Sequence, residues 1–292
     1  MYIVNPLEVT DANTTTNLVN DYPDWTAGTY SQGDRRVVDK VAYEVVASST
    51  TDNPTEGVNK NPASWIKLGY SNKWRMFTLA KDSKSTAGPT LTFTSDFGVS
   101  VDTVALLGVV GSSIHIKIET VAQGVVYDET ITTTDILVDN YFDWFFLPYE
   151  SKEDFIFFNL PTYPDATITI TVTASLNTAI GRFVAGTSKQ LGESIYGSST
   201  GTQSFTIRDR DGFGNLNIVP RRTIDVTEFK VAIETPSIPV VKRYITKAAS
   251  EPALFFADPD NEGLINFGLA EDFRIPYEYP TVSKATIEVK SI

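Results

Sequence analysis

The sequence predicts a mainly β protein with a small N-terminal β module, a central β-sandwich and a C-terminal β-rich domain carrying one short helix. Three observations carry this. Short runs alternate polar and apolar residues strictly, which is the period of a half-buried strand. Clusters of Gly, Pro, Asn and Asp separate those runs, as in sandwiches and barrels rather than α/β layers. The 292 residues suffice for about two domains, or three small ones, at roughly 100–200 residues each.

Along the chain, residues 1–20 are polar and read as an N-terminal arm that orders on a partner. Residues 21–70 form a compact, aromatic-rich unit. Residues 71–178 hold the alternating strands Leu91–Thr94, Ile114–Glu119 and Thr167–Thr173. Residues 179–292 open with Gly181, Gly186, Gly192, Gly197 and Gly201, read as a linker or a set of tight hairpins. Two more strands, Val226–Val231 and Thr286–Lys290, follow. Between them Val240, Val241, Tyr244, Ile245 and Ala248 share one face at helical spacing. Pro239 precedes that helix and Pro252 lies past its end. No block repeats another at a fixed period.

Composition narrows the chemistry. The chain has no cysteine, so it has no disulfide framework, thiolate zinc site or cysteine nucleophile. Its one histidine, His115, rules out a site needing two imidazoles from one chain. Flanked by Ile114 and Ile116 in an alternating strand, His115 is expected to point outward and to be inert. The net charge of -12 argues against specific nucleic-acid binding, because phosphates must be neutralised by Lys and Arg. No apolar run reaches the ~18 residues of a membrane span, and no signal peptide is visible. No cofactor and no metal are expected. Asp209-Arg210-Asp211-Gly212 starts like a calcium loop but lacks the later oxygen ligands, so a hairpin turn with Gly212 and Gly214 at positive φ is the expectation. Asp258–Gly263 reads as a solvated acidic turn.

The sharpest local pattern is Trp25, Gly28, Tyr30, Gly33-Asp34, Val37-Val38, Tyr43, Pro62 and Trp65. Gly28 and Gly33 permit tight turns, and the rings can build a mini-core that so small a unit otherwise lacks. The pattern resembles the small chitin-binding modules of bacterial chitinases and phage tail proteins. The resemblance implies that Trp25, Tyr30, Tyr43 and Trp65 stack on sugar rings; the alternative is that all four are core.

Trp74–Phe77, Val104–Gly108 and Tyr141–Phe146 give the middle block the look of a jelly-roll of the galactose-binding-like kind. The aromatics from Tyr141 to Tyr149 are expected to form a strand buried on both faces or a subunit contact, with Tyr141, Phe142, Trp144 and Phe145 at that interface. The last block resembles a domain of tailed-phage structural proteins. Ile180-Gly181, Leu191-Gly192, Tyr196-Gly197, Asp211–Asn215, Arg221-Arg222, Pro252–Leu254 and Ile275–Tyr277 carry the resemblance. The order of the three blocks also resembles phage tail proteins.

These resemblances imply a non-enzymatic structural subunit of a tailed-bacteriophage virion, in the tail or baseplate (distal-tail or tail-tube-associated). It is expected to be assembled in the host cytoplasm, and to repeat as copies of itself in a ring against other tail or neck proteins. Arg221, Arg222, Lys242 and Arg243 then fall at subunit contacts, and acids lining a channel repel passing DNA. The alternative is a carbohydrate-binding host-recognition protein of the tail that holds a host-surface glycan. A third reading, a depolymerising enzyme, needs two facing carboxylates ~5–9.5 Å apart, and no pair is singled out by the sequence.

Overall fold

In the computed structural model the described residues are all except 80–82, 135–140, 147–150, 211 and 278, and the side chains of Asp143 and Trp144. The architecture is mainly β, as predicted, and every strand pairing between the strands named below is antiparallel.

The central block is a jelly-roll sandwich. One sheet runs in the order Gly124–Thr132, Ser113–Thr120, Thr167–Thr173, Thr90–Asp96, Thr14–Thr16. The facing sheet runs Phe155–Phe158, Thr103–Leu107, Arg182–Gly186. From Thr90–Asp96 onward, apart from the hairpin that joins Ser113–Thr120 to Gly124–Thr132, successive sandwich strands switch sheets. In Thr167–Thr173, Ile168, Ile170 and Val172 point inward onto Leu91, Phe93, Ile114, Ile116 and Ile118. The threonines point outward, where Thr171 meets Thr92 at 3.2 Å and Thr169 meets Thr94 at 3.1 Å through their hydroxyls. Such cross-strand pairs fix the register that the alternation requires.

The three-stranded sheet is buried on both sides, so its strands read as unbroken apolar runs. Val104, Leu106, Phe155, Phe157 and Phe183 face the sandwich core. Ala105, Leu107 and Val184 face the other way, against Leu254, Phe256, Ile265 and Phe267. Those four belong to an eight-stranded sheet whose order is Ser188–Gln190, Tyr2–Val4, Ala253–Phe256, Ile265–Arg274, Val282–Ser291, Thr223–Glu234, Glu193–Ser194, with Ser199–Ser204 also pairing Thr223–Glu234. The predicted helix, Ile238–Ala248, covers that sheet's far face. Ile238, Val241, Ile245 and Ala248 are buried against Phe229, Val231, Ile287 and Val289. Pro239 sits in the first turn, where its missing N–H leaves no bond unmade. The molecule is thus a stack: large sandwich sheet, small sandwich sheet, eight-stranded sheet, helix.

Four expectations are corrected. Residues 1–20 are not a free arm. Tyr2–Val4 lies between Ser188–Gln190 and Ala253–Phe256, and Thr14–Thr16 extends the sandwich. The reason lies in Ile3 and Val4, fully buried on opposite faces of one sheet, and in Leu18, buried in the sandwich core. The 178/179 boundary also falls short, since Arg182–Gly186 completes the small sandwich sheet. The glycine-rich stretch is no linker, because Gly181, Gly186 and Gly192 stand where backbones touch. A Cβ on Gly186 would lie 2.5 Å from the Asn5 carbonyl oxygen. Finally, Tyr141–Phe146 is a short helix rather than a strand. In sequence it lies between the two ends of the Thr134–Ser151 bridge.

Candidate functional site

The N-terminal module consists of Arg35–Val38, Val41–Val45 and Trp65–Tyr70 in one sheet, with Tyr30–Ser31 and Ser49–Thr50 as a second pair. Gly33 takes a φ of 88°, which a turn needs and a Cβ would oppose. Asp34 closes that turn by accepting the Ser31 N–H at 2.8 Å. The four predicted sugar-stacking rings do come together, but as a core. Trp65, Tyr43 and Tyr30 are buried with Val41 and Val45, and Trp25 is half-buried against them. Tyr30 and Trp65 meet edge to face at 5.6 Å. Arg36 covers the Tyr30 ring at 4.7 Å. Trp65 donates its indole N–H to the Asp52 carbonyl at 3.1 Å. Lys60 and Ser64 hold the Asp52 carboxylate at 2.6 and 2.7 Å and lower its pKa. Burial raises the pKa of Tyr43. Stacking on a sugar needs an open ring face, and Tyr30, Tyr43 and Trp65 are buried, with Trp25 half-buried beside them. The sugar-binding assignment of Trp25, Tyr30, Tyr43 and Trp65 is therefore replaced by a structural one.

The exposed apolar surface lies elsewhere. Ser199–Ser204 pairs with the start of Thr223–Glu234, and beyond that pairing Ile207–Arg210 and Leu216–Val219 form a two-stranded hairpin. Every residue of these two short strands is exposed. Arg208 stands opposite Ile218, and Arg210 opposite Leu216, so guanidinium groups and aliphatic side chains share a face. Phe205 and Phe213 are exposed at its base and tip. Of the predicted interface residues, Arg221 and Arg222 lie at the base of this hairpin, where Phe205 donates its N–H to the Arg222 carbonyl at 3.1 Å. The tip is the expected turn, with Gly214 at φ 86°. Asp211, which sets the φ of Gly212, lies outside the described residues.

The second exposed patch is the short helix. Tyr141 is 87% exposed and Phe145 72%, and Phe142 packs on Phe146 one turn on at 4.8 Å. The remaining predicted interface residue, Trp144, has its side chain outside the described residues. His115 points outward as expected and meets the Asp128 carboxylate at 2.9 Å. The Asp258–Gly263 turn is more than solvated, because Glu262 Oε1 accepts the backbone N–H groups of Glu153 and Asp154 at 2.7 and 2.8 Å and ties the sandwich to the large sheet. Among the described residues no group of three or more His, Cys, Asp or Glu side chains could hold a metal ion. No described helix is long and apolar enough to cross a membrane.

Sequence reasoning missed the hairpin's apolar residues, Ile207, Leu216, Ile218 and Val219. Their signal was present as Ile207 before a glycine turn and a short apolar run, Leu216 to Val219, after it, but a pattern of that kind marks a strand without saying what covers it.

No family model matches the chain, and no curated protein matches it. Among solved structures, a chitosan-binding module from the chitosanase/glucanase of Paenibacillus sp. IK-5 is similar at 13% identity and a TM-score of 0.27, over 41% of this chain and 86% of that one.

Proposed function

We propose that this chain is a non-catalytic structural subunit that assembles with copies of itself, as a ring component of a phage tail or baseplate. The observation that carries the reading is the hairpin at Ile207–Val219, whose apolar side chains lie outside every core of the protein. A lone two-stranded hairpin is marginal in water, so a surface of this kind gains stability when a neighbour covers it. Charge favours a second copy as that neighbour. Residues 199–222 carry four arginines against two aspartates, in a chain of net charge -12. The aromatic segment 135–154 carries six acids against one lysine. A basic aliphatic hairpin meeting an acidic aromatic segment on the next copy is a head-to-tail contact, and such contacts close into rings when the rotation permits. Other tail or neck proteins would then stack on the ring.

The test is the solution mass of the full chain by light scattering, beside a Leu216→Asp, Ile218→Asp double variant. The expected outcome is an oligomer for the parent and a monomer for the variant. Thermal stability of the fold should be little changed, because surface changes usually fall within about 0.5 kcal/mol. A parent that stays monomeric at tens of micromolar, and is missing from assembled particles imaged by cryo-EM, sinks the reading.

A further inference from the structure

The large sandwich sheet ends in an open edge. Gly124–Thr132 is its terminal strand and, among the described residues, pairs with Ser113–Thr120 alone. A terminal strand presents a row of N–H and C=O groups without partners, which is a template for another strand. The opposite edge, Thr14–Thr16, has three residues and offers little of this. Gly124–Thr132 has nine. Past the break in register at Val126, its stretch Tyr127–Thr132 pairs without interruption.

The side chains make that edge selective. Glu129 stands opposite Ile116, which is fully buried, so Glu129 points to the core side of the sheet. Its neighbours on that side, Tyr127 and Ile131, pack against the sandwich core. Tyr127 donates its O–H to Glu129 Oε2, and Glu129 itself stays exposed. An inward-pointing charge keeps an edge strand from accepting further strands. A carboxylate in that place repels a strand that brings apolar or acidic side chains, and admits one that brings a cation.

The exposed hairpin brings that cation. Its strand Ile207–Arg210 carries Arg208 and Arg210 on one face, with Ile207 and Asp209 on the other. Among the described residues this strand pairs with Leu216–Val219 alone, so its second edge is open too. Arg210 donates to the Gly214 carbonyl at 3.1 Å and keeps its remaining guanidinium hydrogens. Charge then sets the register. Antiparallel pairing makes the more stable ladder. With Arg210 opposite Glu129, Asp209 falls opposite Thr130, and Arg208 lays its methylene stem along Ile131. Sliding the strand by two residues, to set Arg208 against Glu129, brings Asp209 onto Asp128, and like charges directly opposite destabilise a sheet. We propose that Ile207–Arg210 of one copy adds antiparallel to the edge Tyr127–Thr132 of the next, with Arg210 opposite Glu129. Main-chain hydrogen bonds give such an addition its affinity, and the Arg–Glu pair gives it specificity. This rests on the assembly reading above and names the surface that receives the hairpin. The edge runs through Thr133 into the aromatic segment, so the two acceptor surfaces are continuous along the chain.

The absence of cysteine makes a clean test possible. Thr130→Cys and Asp209→Cys, placed together in the full chain, are both exposed and stand opposite each other across the pairing. Mild oxidation should link copies into a ladder of covalent multimers that neither single variant gives, with peptide mass mapping showing a disulfide between positions 130 and 209. Glu129→Arg should weaken self-association at least about tenfold in light scattering while leaving the Tm of the monomer unchanged. Glu129→Arg combined with Arg210→Glu should restore association to within about threefold of the parent. Three results overturn the proposal. The parent forms oligomers but the 130–209 link does not appear, as when Asp209→Cys links instead to Tyr141→Cys; the edge is then not the acceptor, and the assembly reading stands without it. Glu129→Arg associates as the parent does. Or the parent is a monomer, which removes the assembly reading and this pairing together.

Discussion

The strand Thr167–Thr173 and the hairpin Ile207–Val219 are written in similar residues and meet opposite fates. In the first, Ile168, Ile170 and Val172 are sealed beneath a second sheet. In the second, Leu216 and Ile218 are each 52% exposed. Both are antiparallel, and both place β-branched residues where β propensity favours them. The difference is the presence of another layer. Apolar spacing specifies a face, and only the rest of the chain, or another chain, supplies what covers it.

The largest test of that contrast is a matched pair of truncations. Ile170→Ala should cost about 2–5 kcal/mol in denaturant unfolding, from lost transfer energy plus a cavity. Ile218→Ala should cost the monomer under about 0.5 kcal/mol. Equal costs would mean that the hairpin is packed on its own chain after all. A middle-sized effect is expected at the clamp between layers. Glu262→Ala leaves two backbone N–H groups of the sandwich without their acceptor, and should cost about 1–3 kcal/mol. Unfolding in the variant should then resolve into separate sandwich and large-sheet steps; a single transition would show that apolar packing alone couples them. The smallest effect is spectroscopic. Burial, then the carboxylate of Glu129, pushes the Tyr127 phenol up to about 12. From about pH 10 to 12 the unfolded chain releases that proton while the folded chain keeps it, so this group's contribution to stability falls as pH rises. Tyr127→Phe should remove one late-ionising phenol from the ultraviolet titration and abolish that loss. An unchanged titration would place Tyr127 in open solvent.

Much of the fold was legible because its strands are half-buried. Strict alternation in Ile114–Glu119, Thr167–Thr173 and Thr286–Lys290 corresponds to observed strands. The helix was readable from Val241, Ile245 and Ala248, all of which are buried. The module's ring spacing correctly marked residues that meet, yet spacing does not say whether a ring's face is open, and here packing closed it. The first twenty residues misled because their polar average hides Ile3, Val4 and Leu18, single residues that each find a core distant in sequence. The Tyr141–Phe146 run has no period, and an aperiodic aromatic run fits strand and helix alike. The contact between the sandwich and the large sheet could not be read at all, because Glu262 meets the backbone of Glu153 and Asp154 only when the two layers stack.

The pairing of Tyr2–Val4 with Ala253–Phe256 has a consequence for biogenesis. A chain made from its amino end presents this strand long before its partner, which emerges some 250 residues later. Pairings so distant along the chain are slow to form. The nascent molecule therefore has a waiting period during which Ile3 and Val4 are uncovered, and the ribosome or a chaperone is the natural place for that wait to pass without misassembly.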